Sequence, residues 1–156
     1  MMKSTGPGLL ALLAVTLAAC GAAGNDAPPT AELIASAPAA MDGIGGSVDS
    51  VIVDAETGRV EVSGWHMLTP QTRTKVLTVY APGASSVLSL EPKARPDVVT
   101  AINDEELANS GFTLVLQGEP GTGISELCIG FDDKHYGDRF LNANPDNPVR
   151  CTSKGQ

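Results

Sequence analysis

From Gly46 onward apolar side chains recur at every second residue, and that period commits the chain to β-strands. The strands it predicts are 46–55, 59–63, 75–81, 86–90, 111–117 and 124–131, with a short edge strand near 139–141. Val60 and Val62 share one face, as do Phe112, Leu114 and Leu116. Turn residues separate the runs at Glu56-Thr57-Gly58 and Pro82-Gly83. The Gly118–Gly123 stretch reads as a loop between strands, because no Gly-Lys-Ser/Thr ends it and no helix follows, as a phosphate loop requires. One helical interruption is expected, with Asp97 placed to cap 98–102 directly after Pro96 and a second turn starting at Asp104. Short strands with a single helical crossover predict an all-β domain, an antiparallel, immunoglobulin-like β-sandwich.

Aromatic residues make up only 4% of the chain, so the core rests on Val, Leu and Ile. Trp65 falls on the opposite parity from Val60 and Val62. Either it faces outward, or a bulge at Ser63-Gly64 switches the faces of the strand. Glycine inside a strand often marks a bulge, and a core poor in aromatics needs the bulk of a tryptophan, so a bulge and a core Trp65 are expected. An aromatic ligand platform of Trp65 with Tyr80 is the alternative.

Ahead of Gly46 the pattern differs. Residues 1–19 carry Lys3 and then an apolar run from Leu9 to Ala19. That run has the length of a secretory signal and falls short of the roughly 20 residues of a membrane span. Residues 20–45 are rich in Ala, Pro and Gly with no sustained period, which reads as a disordered tether. The folded domain is then 46–156.

The end of the apolar run, Leu17-Ala18-Ala19-Cys20-Gly21, resembles the lipobox of bacterial lipoproteins. The resemblance implies that the Cys20 thiol takes a diacylglyceryl group, that the signal is cut before Cys20, and that the new amine is acylated. Each buried methylene contributes about 0.8 kcal/mol, so two or three chains convert marginal binding into stable anchoring. Ordinary secretory cleavage after Ala19, leaving a free Cys20, is the competing outcome. In the lipoprotein class an Asp after the cysteine signals retention in the inner membrane. Gly21 stands there instead, which points to an outer membrane, facing the periplasm or the surface.

The chain has three cysteines. If Cys20 carries lipid, Cys128 and Cys151 remain as a pair in an exported, oxidising setting, where a disulfide is expected over two buried thiols. Without residues 1–19 the chain keeps nine basic residues against 18 acidic ones, a formal charge of −9. That balance opposes nucleic acid as a partner and electrostatic docking on anionic lipid, which leaves the acyl chains as the membrane contact.

A second resemblance rests on Gly46-Ser47-Val48-Asp49, Gly64-Trp65, Arg95-Pro96-Asp97-Val98 and Gly111-Phe112. This pattern, over residues 46–117, is similar to a small β-sandwich module of bacterial envelope and secreted proteins that accompanies enzymes of surface polysaccharides. It implies an accessory or binding domain with no catalytic residues to transfer. His66 departs from the pattern, standing where a small residue is expected. Arg95 and Asp97 read as an ion pair and a helix cap.

Chemistry-bearing clusters are sparse. Asp132-Asp133-Lys134-His135-Tyr136-Gly137-Asp138 is the densest polar run. It fails the calcium-loop template at its third, fifth and twelfth places, which leaves a looser calcium site at Asp132, Asp133 and Asp138 or a solvated turn. A hydrolase built on His135 and nearby acids has no Gly-x-Ser-x-Gly elbow to support it. The expectation is therefore a lipid-anchored, non-catalytic binding or structural protein of the bacterial envelope, with a glycan or another envelope protein as ligand and no cofactor. Mass spectrometry of the mature N-terminus checks the anchor. The expected species begins at an acylated Cys20, and an uncut signal or an unmodified Cys20 refutes it.

Overall fold

The computed structural model describes residues 28–68, 75–133, 137–143, 146 and 148–154. The lipobox, Cys20 and His135 lie outside the described residues. The described residues are mostly β, with 56% in strands. Its strands are β1 (Thr30–Leu33), β2 (Gly43–Asp54), β3 (Arg59–His66), β4 (Val76–Tyr80), β5 (Ala84–Lys93), β6 (Gly111–Gly118), β7 (Cys128–Asp133) and β8 (Gly137–Ala143). One α-helix, α1 (Pro96–Ile102), and a 3-10 turn at Glu105–Leu107 connect β5 to β6.

All eight strands belong to one sheet, in the order β1-β4-β7-β8-β2-β3-β6-β5. The sheet curls until its edge strands β1 and β5 lie against each other, which brings it close to a barrel. This corrects the expected antiparallel, immunoglobulin-like sandwich in two respects. The sheet is continuous, and it is mixed, with β1 parallel to β4 and β2 parallel to β8. Parallel partners need no local hairpin, so nothing at a turn announces them. The strand expected at an edge near 139–141 is β8, and it lies inside the sheet between β7 and β2.

The sheet also reaches back into the stretch that reads as a tether. Thr30–Leu33 forms β1, with Thr30 N–H donating to the Lys75 carbonyl (2.8 Å) and Ile34 N–H to that of Val79 (2.9 Å). Met41 is buried. A four-residue strand is too short to show a period, and its partner β4 lies far along the chain.

The interior is aliphatic, as the composition requires. Val60 and Val62 of β3, Leu77 and Val79 of β4, Phe112, Leu114 and Leu116 of β6, Ile129 and Phe131 of β7 and Leu141 of β8 form one buried cluster. Alternation therefore carried the correct inward faces of β3 and β6. A smaller cluster lies on the far side of β7, where Met41, Cys128 and Phe140 pack with Tyr80 and Cys151.

That second layer is held by the C-terminal segment. Cys128 and Cys151 form the expected disulfide, with Cα atoms 5.1 Å apart. Backbone bridges from Leu127 to Val149 and from Met41 to Ser153 flank it. Closing a loop over a separation of 23 residues restricts the unfolded chain by roughly 3 kcal/mol. Reduction, or the Cys128→Ser/Cys151→Ser double variant, is expected to lower unfolding stability by about that amount in a denaturant titration. An unchanged midpoint would show that the segment holds without its covalent link.

Candidate functional site

The short motifs scattered over 46–117 meet in one place. Gly46 pairs with His66, Ser47 with Trp65 and Val48 with Gly64 across β2 and β3; Gly64 and Trp65 pair in turn with Phe112 and Gly111 of β6. The glycines are there because the space is filled. A side chain at Gly46 would strike the Trp65 carbonyl, and Gly46 also holds a φ of 152°. At Gly64 a Cβ would press on the Phe112 ring at 3.1 Å, and at Gly111 on the Arg95 stem at 2.6 Å.

Arg95 ties this region together. Its Nη1 donates to Asp49 Oδ2 (2.6 Å), its Nε to Asp97 Oδ1 (2.9 Å) and its Nη2 to Asp97 Oδ2 (2.7 Å). The guanidinium holds the Asp97 carboxyl down to about 2. The expected ion pair is present, but the cap is not. Arg95 occupies the N-cap position of α1 without a side-chain capping bond, and Asp97 lies in the first turn. Asp104 does cap the following turn, accepting from Glu106 N–H (3.0 Å).

The bulge near Gly64 lies in the partner strand. The register of β2 against β3 shifts between Val48 and Ser50, passing over Asp49, while β3 keeps its alternation to the end. Trp65 therefore stays on the outer face, half-buried, and not in the core cluster. It does not meet Tyr80. Strands β2, β8 and β7 separate β3 from β4 in the sheet, and Tyr80 packs on the disulfide layer.

Unbroken alternation puts a different residue inside. His66 follows Val60, Val62 and Gly64 on the inward face and is 3% exposed. Its ring stacks on Phe112, with centroids 5.9 Å apart and planes 12° apart. Leu68 N–H donates to Nδ1 (3.3 Å). Nδ1 is thus an acceptor, so the neutral ring carries its hydrogen on Nε2. Burial pushes the His66 pKa down to about 4. The side chain is a neutral Nε2–H donor, and Nε2 has no hydrogen-bond partner among the described residues.

Ser110 lies beside it. The His66 N–H donates to the Ser110 carbonyl (3.0 Å), and Ser110 is 4% exposed with its Oγ also lacking a partner among the described residues. A seryl nucleophile needs an imidazole nitrogen free to take its proton. Here Nδ1 is engaged and Nε2 holds the hydrogen, so the pair offers hydrogen-bond donors rather than a base.

Both residues line a cleft of about 470 Å³ with Pro28, Pro29, Lys75 and Lys93. Its position follows from the topology. The end of β3, the start of β6, the end of β5 and the starts of β1 and β4 all come to the same end of the curled sheet. No ladder joins β1 to β5 among the described residues, and the cleft lies at this end of the seam; barrel mouths are a common place for ligand sites.

The acidic run after β7 is divided by the pleat. Asp132 pairs directly with Asp138 across β7 and β8 and shares a face with it. Asp133, buried, is the next residue in the strand and points to the other face. The three carboxylates do not converge on one point, and no group of three metal-ligating side chains forms among the described residues.

Comparison with protein-family models, with curated proteins and with solved structures found no match.

His66 sets a pH dependence. With a pKa near 6.5 unfolded and about 4 folded, the unfolded state binds the proton first as pH falls. Stability from the neutral ring is fully present above about pH 6.5, declines between 6.5 and 4, and is lost below, a change of up to roughly 3 kcal/mol. In denaturant unfolding, His66→Phe is expected to flatten the stability profile between pH 7 and 4.5. A profile as steep as that of the parent protein would exclude His66 as its source.

Proposed function

We propose that the protein is a lipid-anchored, non-catalytic binding protein of the bacterial envelope, and that the barrel-mouth cleft is its ligand site. One observation carries this reading: two buried polar side chains, His66 and Ser110, line an open cleft with no protein partner for Nε2 or Oγ among the described residues. A buried donor without a partner costs about 1–3 kcal/mol. A bound ligand that accepts these hydrogen bonds offsets that cost. Non-catalytic binding is favoured over hydrolysis because His66, held as a donor, is a poor general base near neutrality.

Lipidation of Cys20 and an envelope location rest on the resemblance of residues 17–21 to a lipobox. Kinship with accessory modules of polysaccharide systems is supported by the meeting of Gly46, Gly64, Trp65, Arg95 and Gly111 in one region. That kinship puts a glycan first among ligands and an envelope protein second.

The test is binding of the full-length protein, in detergent, to an array of bacterial envelope glycans beside its His66→Phe variant, which keeps an aromatic ring against Phe112. Saturable binding weakened about tenfold or more in the variant is expected, a loss of roughly 1.4 kcal/mol. Absence of binding to every glycan, or release of cleavage products from any of them, would overturn the reading.

A further inference from the structure

Two lysines stand at the cleft of an otherwise acidic molecule. The chain is acidic, with a formal net charge of −8. Among the described residues the lysines are Lys75, Lys93 and Lys154. Lys154 is paired with Asp42, Nζ to Oδ1 at 2.8 Å. The other two both line the barrel-mouth cleft, and neither has an ion-pair or hydrogen-bond partner through its ammonium among the described residues. In a protein with almost twice as many acids as bases, the two described lysines without a partner among the described residues stand at one hollow.

The rest of the lining narrows the ligand further. Asn109 brings an amide to the lining, and His66 and Ser110 carry a buried N–H and hydroxyl without a partner among the described residues, groups that suit hydroxyl and ring oxygens. Pro28, Pro29, Pro92 and Leu68 contribute apolar surface, which suits the C–H face of a ring. Among the described lining residues there is no arginine, so the positive charge there comes from lysines, which act as point charges rather than as a planar fork. A volume near 470 Å³ accommodates one or two sugar rings and not a folded partner.

We propose that the cleft binds a carboxylate-bearing sugar residue, with Lys75 and Lys93 facing the carboxylate and His66 Nε2–H donating to a hydroxyl or ring oxygen. This rests on the reading of the cleft as a ligand site and adds the chemical class of the ligand. Lys75 and Lys93 supply the discrimination between acidic and neutral sugars. His66 and Ser110 supply hydrogen bonds that both kinds of sugar can accept. Glu106, also at the lining, places an acid where a second negative charge would be repelled, which favours a monoanion over phosphate.

The experiment is calorimetric titration of the full-length protein in detergent with glucuronate, glucose and inorganic phosphate. Glucuronate is expected to bind at least tenfold more tightly than glucose or phosphate. Lys75→Ala/Lys93→Ala is expected to reduce glucuronate binding about tenfold or more and to leave its ratio to glucose near one. Lys154→Ala, altering a lysine on the Asp42 side, is expected to leave it unchanged. Unaltered near-ultraviolet circular dichroism of the double variant verifies its fold. If that signal changes, loss of glucuronate binding by the parent protein on raising salt replaces the variant as readout, and salt-independent binding counts against the proposal. Equal binding of glucose, tighter binding of phosphate, or indifference to the double substitution each overturns the acidic-sugar assignment while the cleft remains a binding site. Failure of every glycan on the array overturns the underlying reading as well.

Discussion

The bend of β2 is the constraint on which the rest of the molecule depends. Among the described residues β2 alone joins the two halves of the sheet, with β8, β7, β4 and β1 on one side and β3, β6 and β5 on the other. Its register breaks twice, between Ile44 and Ser47 against β8 and between Val48 and Ser50 against β3. Irregularities of this kind turn a flat sheet into a curved one. Gly45 and Gly46 sit at the first break, where a side chain would run into Phe131 and Arg139 or into the backbone of β3.

The cleft is a consequence of the same curvature. Its lining comes from strand ends far apart in the chain, and they become neighbours because the sheet curls nearly to closure, with no ladder between β1 and β5 among the described residues. The polar floor follows from the strict alternation of β3. The bulge is taken up by β2 at Asp49, and the displaced carboxylate meets Arg95. Because β3 itself is not interrupted, His66 is carried inward and Trp65 outward.

Much of this was legible, and the exceptions have specific causes. The inward faces of β3 and β6 could be read from Val60, Val62, Phe112, Leu114 and Leu116, because period-two alternation states directly which side meets the core. The Cys128–Cys151 pair could be read from number and setting. Trp65 departs from its expected place because a glycine in one strand need not mark that strand's own bulge; two paired strands have to be seen together to know which of them takes the extra residue. In the sequence His66 stands out only as a departure from a pattern. The signal that places it was present, since it has the parity of Val60 and Val62, but a bulge at Gly64 would have cancelled it.

The sequence by itself determined that the domain is β-rich and aliphatic at its centre, where most of its strands lie after Gly46, though the strand expected over 124–131 runs instead from Cys128 to Asp133, and which two cysteines were available to join. Those properties depend on neighbours along the chain, which a period or a turn residue records. Only the tertiary structure decided that β1 and β8 pair in parallel with distant strands, that the sheet is one curled surface rather than two layers, and that Lys75, Lys93, His66 and Ser110 share a cleft. Parallel pairing and seam closure bring together segments with no local relation. They are selected by how the whole set of apolar faces can be buried at once, a quantity that no window of residues contains.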